Sequence, residues 1–279
     1  MARSLLSGLP LRLAFAAAVA ALLGTFSSVQ AQLDYRNLDD DRPTLTEDAY
    51  PIERYAWEVM LPYHFERDAD GANEHALLAE LTHAPARNFH LGVKAPLAVA
   101  DPPGGPSSGL ELSGVKVFGL YNFNTEGVWL PALSLRGDLS LPWGGLGGDA
   151  TRVTLKAIAT RSWGLTRLHV NVARSFGDEG EALAAAEPAS RWWVSAAMDR
   201  TLFRQSVLLL AEVYARRDLE DEPVEWVATI GTRYQWTPTL VLDFGLSRRL
   251  RAEVGPDLGL NVGLTYTFGI RGLMPRGSR

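Results

Sequence analysis

The sequence contains no cysteine among its 279 residues. No disulfide can therefore stabilise the fold, and neither a thiolate metal site nor a cysteine nucleophile is available. A basic excess is missing as well, because 27 Lys and Arg face 32 Asp and Glu, for a formal net charge of -5. This balance lacks the basic footprint of a nucleic-acid-binding protein, so no nucleic-acid partner is predicted.

The N-terminal stretch has no acidic residue and has the composition of an export signal. Arg3 and Arg12 give it a positive start, residues 13–23 form an apolar run, and small residues follow up to Ala31. This order predicts a secretory signal peptide over residues 1–31, cleaved after Ala31. The apolar run is too short to span a hydrocarbon core of roughly 30 Å, although a retained anchor helix is the alternative. Cleavage would remove two of the 27 basic residues and leave 25 against 32 acids, a net charge of -7.

No long apolar run follows the signal, and apolar residues instead alternate with other residues. One face of residues 225–236 carries Trp226, Ala228, Ile230, Thr232, Tyr234 and Trp236, and the other carries Glu225, Val227, Thr229, Gly231, Arg233 and Gln235. A period of two indicates a β-strand, because successive side chains point to opposite faces. Residues 55–65, 240–246 and 258–268 repeat it. Apolar faces with aromatic residues near their ends are typical of lipid-facing strands.

Weaker segments of the same kind fill the middle of the chain and bring the total to about twelve strands. Those segments are residues 75–84, 88–97, 110–122, 128–139, 151–161, 166–176, 191–201 and 205–217. The connections between strands alternate between short and long, as do the tight periplasmic turns and longer extracellular loops of outer-membrane barrels. We therefore predict an all-β fold, an antiparallel transmembrane β-barrel of about 12 strands in the outer membrane of a Gram-negative cell. A soluble exported β-sandwich or lipocalin-like barrel is the alternative.

Four segments follow from this interpretation. Residues 1–31 are the signal peptide, and residues 32–53 are an acidic, turn-rich periplasmic lead-in that is long enough to enter the barrel lumen. Residues 54–270 form the outer-membrane barrel, with a short helical turn expected in the loop at 179–186. Residues 271–279 form a tail whose ending resembles a protease-site linker, so the tail is either native or an addition.

Several stretches resemble a known family. They are Thr46–Glu58, Leu168–Ala173, Leu208–Arg217, Ile230–Leu242 and Asp243–Phe268, which ends in GLNVGLTYTF. They are similar to the outer-membrane transporter-like family named after the meta-pathway of phenol degradation, and the likeness covers most of the mature chain. The shared motifs are strand and turn patterns rather than reactive residues. The resemblance implies a porin-like barrel, a terminal aromatic residue for the barrel-insertion machinery (Phe268) and no particular substrate.

Catalytic and metal-binding motifs are absent from the sequence. The five histidines, at 64, 75, 83, 90 and 169, form no close metal-ligand spacing. The candidate nucleophiles Ser134, Ser175, Ser195 and Ser247 lie in no Gly-x-Ser-x-Gly turn. We predict a non-enzyme without metal or cofactor, and keep an outer-membrane lipid or peptide hydrolase as the alternative.

Charged residues on the faces opposite the apolar ones are the remaining candidates for a functional role. The predicted lumen-lining residues are Glu58, Glu80, Lys94, Lys156, Glu212, Arg233, Asp243 and Arg249. Further charges on these faces are Arg136, Asp138, Asp199 and Arg216. If Thr237 to Thr239 close a hairpin, Arg233 faces Asp243 and the pair fixes register, an effect of about 0.2–1 kcal/mol.

We expect a narrow, charged lumen that passes or binds small molecules, including hydrophobic or aromatic ones. Twelve strands lie between small filled barrels and open sixteen-stranded porins, which favours a narrow or partly filled lumen. The expected partners are outer-membrane lipid and lipopolysaccharide, the insertion machinery and a small solute. A barrel with only a structural or surface-binding role is the alternative.

Overall fold

The structure is a computed structural model. It describes residues 34–40, 42–68, 71–101, 104–105, 107–146, 150–177, 192–202, 206–217, 223–251, 256–270 and 273–274. The predicted signal peptide, its cleavage site, the helical turn at 179–186 and nearly all of the tail lie outside these residues. Within the described part of the chain, no helix is long and apolar enough to cross a membrane.

The described residues form fourteen β-strands and no α-helix. The strands are β1 (Ala56–Met60), β2 (Tyr63–Asp68), β3 (Asn73–Ala86), β4 (Phe89–Asp101), β5 (Glu111–Leu112), β6 (Val115–Asn124), β7 (Ala132–Leu141), β8 (Arg152–Trp163), β9 (Thr166–Gly177), β10 (Trp192–Thr201), β11 (Val207–Arg217), β12 (Glu225–Thr237), β13 (Leu240–Arg249) and β14 (Pro256–Gly269).

The strands close into a barrel. Strands β6 to β14 each pair with the next strand in antiparallel register, β4 pairs with β3 and β6, and β14 also pairs with β1 and β2. β1 and β2 form one wall strand interrupted at Pro62, which has no N–H for the ladder. The wall continues across this break because Leu61 N–H donates to Leu264 O at 2.9 Å. β5 is a two-residue strand that pairs with β4. Counted around the wall there are twelve strands, so the predicted fold is confirmed.

Burial alternates along the strands as the sequence pattern predicted. In β9 every second residue from Arg167 to Ala173 is buried, whereas Leu168, Val170 and Val172 are exposed. Aromatic residues exposed at the end with the shorter connections include Tyr121, Phe123, Trp129, Trp163, Tyr234 and Trp236, and those at the other end include Trp143, Phe176 and Trp226. An apolar outer face between two aromatic belts is the surface of a transmembrane barrel.

Two predicted connections were wrong. The strand expected from Val128 begins at Ala132, because Pro131 cannot donate to a ladder and Arg161 binds the carbonyl oxygens of Val128 (2.7 Å) and Gly127 (2.5 Å) in an extended turn. The long connection expected at 66–74 shortens to residues 69–72, because β2 and β3 continue as a paired ladder up to Arg67 and Asn73. Short and long connections therefore do not alternate at these two places.

Candidate functional site

Residues 34–40 and 42–53 lie inside the barrel, and we call them the lumenal segment. Most of their side chains are buried, including those of Asp39, Asp40, Arg42, Glu47 and Asp48. The described part of the segment holds six carboxylates and two arginines, so it carries net negative charge. An acidic chain buried in a membrane protein needs hydrogen-bond donors and cations around it. The inner face of the wall supplies both.

Polar side chains from six consecutive strands bind the middle of the lumenal segment. Each binds residues 45–49 directly, and together they are Asn122 (β6), Ser134 (β7), Thr160 (β8), Asn171 (β9), Ser195 (β10) and Glu212 (β11). Four of them bind the backbone of Glu47 or Ala49. Residues 45–49 form no β-strand, so these side chains supply hydrogen-bond partners for their backbone groups. The segment therefore follows the inner wall around half of the barrel.

Glu212 is the strongest single anchor of the segment. Its carboxylate accepts hydrogen bonds from Leu45 N–H at 3.1 Å, from Thr46 N–H at 2.6 Å and from the Thr46 hydroxyl at 2.5 Å. The Thr46 hydroxyl also lies 2.6 Å from Ser195 Oγ. Hydrogen bonds to a charged acceptor contribute more than neutral ones, about 1.5–3 kcal/mol each.

Three cations of the wall surround Asp40 of the segment. Asp40 lies 2.9 Å from Lys156 Nζ, 3.6 Å from Arg136 Nη2 and 3.8 Å from Lys94 Nζ. Burial raises the pKa of Asp40, but the attraction of Lys156, Arg136 and Lys94 outweighs it and holds the pKa well below the usual range. Glu47 binds the same cluster, at 2.9 Å from Arg136 Nη1 and 3.1 Å from Lys156 Nζ.

A second cluster binds the segment at Asp48. Arg167 donates to Asp48 at 3.1 Å and to Asp199 at 2.6 Å. Burial raises the pKa of Asp48 to about 7, and the attraction of Arg167 opposes this rise. His169 lies between Asp199 (2.9 Å) and the Thr160 hydroxyl (3.0 Å).

The Thr160–His169–Asp199 row has the order of a nucleophile, a base and an orienting acid. Thr160 is fully buried, however, and its hydroxyl oxygen accepts a hydrogen bond from Ala49 N–H at 2.9 Å. A substrate could not reach this oxygen while the segment is in place, so the row serves to bind the segment. Among the described residues there is also no group of three or more His, Asp or Glu placed to hold a metal ion.

Glycines of β12 and β13 let the segment lie directly on the wall. Gly231 and Gly245 face each other in the ladder. A Cβ at Gly245 would lie 2.8 Å from Pro43 O, and one at Gly231 would lie 2.9 Å from Pro43 Cγ. Beside them, Arg233 Nε lies 2.7 Å from Asp243 Oδ1, and both side chains are buried. The predicted Arg233–Asp243 pair is thus confirmed by the register and by the contact.

The eight predicted lumen-lining residues divide into two groups in the structure. Seven are buried, namely Glu58, Glu80, Lys94, Lys156, Glu212, Arg233 and Asp243. Lys94, Lys156 and Glu212 contact the segment directly, and Glu80 lies 3.7 Å from Lys94. Arg249 is partly exposed and pairs with Asp257 at 2.5 Å, away from the segment. Sequence reasoning gave no role to Asn122, Thr160 or Asn171 and weighed Ser195 only as a nucleophile, since the alternation shows that they face inward but not what they bind.

The lumenal segment separates two cavities. The loop-end cavity, about 150 Å³, is lined by residues that include Asp40, Lys116, Lys156, Trp193, Glu212 and Tyr214. The turn-end cavity, about 580 Å³, is lined by residues that include Asp34, Asp48, Tyr50, Arg87, Asn122 and Arg167. Residues of the segment line both cavities, Asp40 and Leu45 the loop-end cavity and Asp48 and Tyr50 the turn-end cavity. The segment therefore lies between the two cavities.

Solved outer-membrane channels share this fold. No family model matches the chain, and no curated protein matches its sequence. The COG4313 outer membrane channel from Pseudomonas putida F1 is 12% identical over 83% of this chain and 100% of that chain, with a TM-score of 0.63. The KdgM porin in complex with disordered oligogalacturonate is 12% identical over 76% of this chain and 99% of that chain, with a TM-score of 0.53.

A second KdgM porin structure is 14% identical over the same shares, with a TM-score of 0.51. At these identities the likeness is one of fold, that of barrels from outer-membrane channels and porins. The resemblance found in the sequence implied the same fold, and the finer family assignment stays a prediction.

Proposed function

We propose that this chain is an outer-membrane channel for small solutes whose lumenal segment is its gate. The observation that carries the proposal is the position of the lumenal segment between two cavities, both of which it lines. The segment is a single stretch of chain held by side-chain contacts rather than by strand pairing. It can therefore move without breaking the closed ladder of the barrel.

The side chains that line the lumen favour a polar solute over the hydrophobic or aromatic solutes expected from the sequence. Lys94, Lys156 and Glu212 are buried and face the segment. An apolar solute in contact with these groups would leave charges without water or a partner, which is costly. A solute with its own charged or hydrogen-bonding groups could replace the contacts that the segment makes.

The same proposal includes the cellular setting. The exposed apolar strand faces suit contact with outer-membrane lipid and lipopolysaccharide. Delivery there would use the predicted signal peptide and the barrel-insertion machinery. The arrangement of the buried Thr160 gives no support to the hydrolase alternative.

A reversible lock tests the gate. Thr46 Oγ1 and Ser195 Oγ lie 2.6 Å apart, so cysteines at both positions can form a disulfide after a small adjustment. The chain has no other cysteine. We expect proteoliposomes with the oxidised T46C/S195C variant to admit arabinose at least fivefold more slowly than the same preparation after reduction. The single variants T46C and S195C, treated with the same oxidant, control for thiol effects.

These measurements distinguish a gated channel from a barrel with only a structural role. Equal arabinose entry before and after reduction would show that the segment is not the gate. If liposomes with the wild-type protein admit arabinose no faster than empty liposomes, the channel proposal fails. The second candidate, a structural barrel, would then be favoured by the many hydrogen bonds that hold residues 45–49 in the lumen.

A further inference from the structure

The cations around Asp40 are held in place by the wall itself. Arg136 lies over the ring of Phe118, 4.0 Å from its centroid, and Lys156 lies 4.9 Å from the centroid of Trp193. Cation–π contacts of this kind orient a side chain without consuming its hydrogen-bond donors. These contacts with the wall hold Arg136 and Lys156 in place independently of the lumenal segment.

Carboxylates of the wall and of the lumenal segment both bind this cluster. In the described wall, Asp138 lies 2.9 Å from Arg136, and Glu80 lies 3.7 Å from Lys94. The segment adds Asp40, at 2.9 Å from Lys156, and Glu47, at 2.9 Å from Arg136. The segment carboxylates approach as closely as those of the wall, so the cluster accepts anionic groups from the lumen.

The cluster borders the loop-end cavity at Lys156. Asp40 and Lys156 both line this cavity, and a further cation, Lys116, lines it as well. Lys156 contacts Asp40 at 2.9 Å and Glu47 at 3.1 Å, so two carboxylates converge on one ammonium group. A molecule that enters the cavity meets Asp40 before it meets Glu47, because Glu47 does not line the cavity.

We propose that Lys94, Arg136 and Lys156 form a binding site for a solute carboxylate, and that Asp40 occupies this site in the closed state. The solute class is small molecules with two or three carboxylates, since two carboxylates of the segment already bind the cluster together. The inference rests on the proposed channel function and names the solutes that the channel takes. The segment acts as a built-in competitor of the solute.

Citrate binding to the detergent-solubilised full chain tests the site. Asp40→Asn removes the competing charge, and we expect it to lower the Kd for citrate about tenfold. Asp34→Asn is the matched control, because it makes the same charge change in the same segment at an exposed position. Asp34→Asn should leave the Kd at the wild-type value. Titration calorimetry measures both.

A paired variant checks that the gain comes from the cluster. D40N/K156Q removes both partners of one ion pair, so it leaves neither charge of that pair buried alone. We expect it to lose the tenfold gain of D40N. Equal citrate affinity in the wild type, D40N and D40N/K156Q would overturn the inference, as would the same gain in D34N.

Solute entry into proteoliposomes separates this inference from the channel proposal. If arabinose enters but citrate binds no better in D40N, the channel stands and the carboxylate site fails. If citrate binds as expected but neither citrate nor arabinose enters, the channel proposal fails and the site remains a binding site. We expect D40N to admit citrate several-fold faster than the wild type.

Discussion

Glu212→Gln should loosen the lumenal segment without opening the barrel wall. The glutamine oxygen can keep the contacts of Thr46, which both go to Oε1. Its amide group then replaces Oε2 and faces the N–H of Leu45, so a donor meets a donor. The change removes one hydrogen bond to a charged acceptor and leaves a backbone N–H without a partner. We expect a cost of about 2–4 kcal/mol in the docking free energy.

Hydrogen exchange of the Leu45 amide measures this cost. Each 1.4 kcal/mol is a factor of ten in an equilibrium constant, so exchange should accelerate by about 30-fold to 1000-fold. Amides in the ladders of β12 and β13 should exchange at the wild-type rate, because Glu212 is not needed for their pairing. Glu225→Gln is the control, since Glu225 is equally buried but contacts Arg216 instead of the segment. The reasoning is refuted if Leu45 exchanges equally fast in the two variants.

Two further predictions concern the wall beside the segment. Gly245→Ala should displace Pro43, because the new Cβ would lie 2.8 Å from Pro43 O. The rate of amide hydrogen exchange in residues 42–46 should then rise at least tenfold. Gly137→Ala is the control and should leave this rate unchanged, because its nearest contact would be at 3.7 Å. Asp243→Asn should lower the free energy of unfolding of the barrel by about 1.5–3 kcal/mol, because it removes the nearer carboxylate partner of the buried Arg233 and leaves Asp39 at 3.9 Å. Asp257→Asn breaks the partly exposed ion pair with Arg249 and should lower the free energy of unfolding by under about 1 kcal/mol. Equal melting temperatures of the two variants, measured by heat-dependent migration on gels, would contradict this prediction.

The strands of the barrel wall could be predicted from the sequence because the pattern that indicates each strand lies within that strand. Residues in β12 to β14 alternate between lipid and lumen, so the period of two indicates both the strand and its faces. Arg233 and Asp243 could be paired in advance because a short hairpin connects them. The contribution of this pair to stability could not be predicted, since the value of about 0.2–1 kcal/mol applies to cross-strand pairs in general. Full burial of both groups raises the expected effect.

The position of the lumenal segment between the two cavities could not be predicted in the same way. The lumenal segment has no period, and the contact of Thr46 with Glu212 joins residues 166 positions apart. The inward-facing Thr160 and Ser195 look like any small polar residues of a barrel interior. Arg136 was one of several inner charges, and only the folded chain shows that it binds Asp40 and Glu47 at once. The acidic composition of the segment does not indicate which cations of the wall it binds.

The short link between the segment and the wall has a consequence for the proposed gate. Glu53 is followed closely by Ala56, the first residue of β1, so a displaced segment cannot diffuse away. A short tether keeps a displaced group at an effective concentration on the order of millimolar. Reoccupation of the lumen is then unimolecular, and a competing solute acts against this local concentration. The fraction of open channels would therefore rise gradually with the external solute concentration and fall again when the solute is depleted.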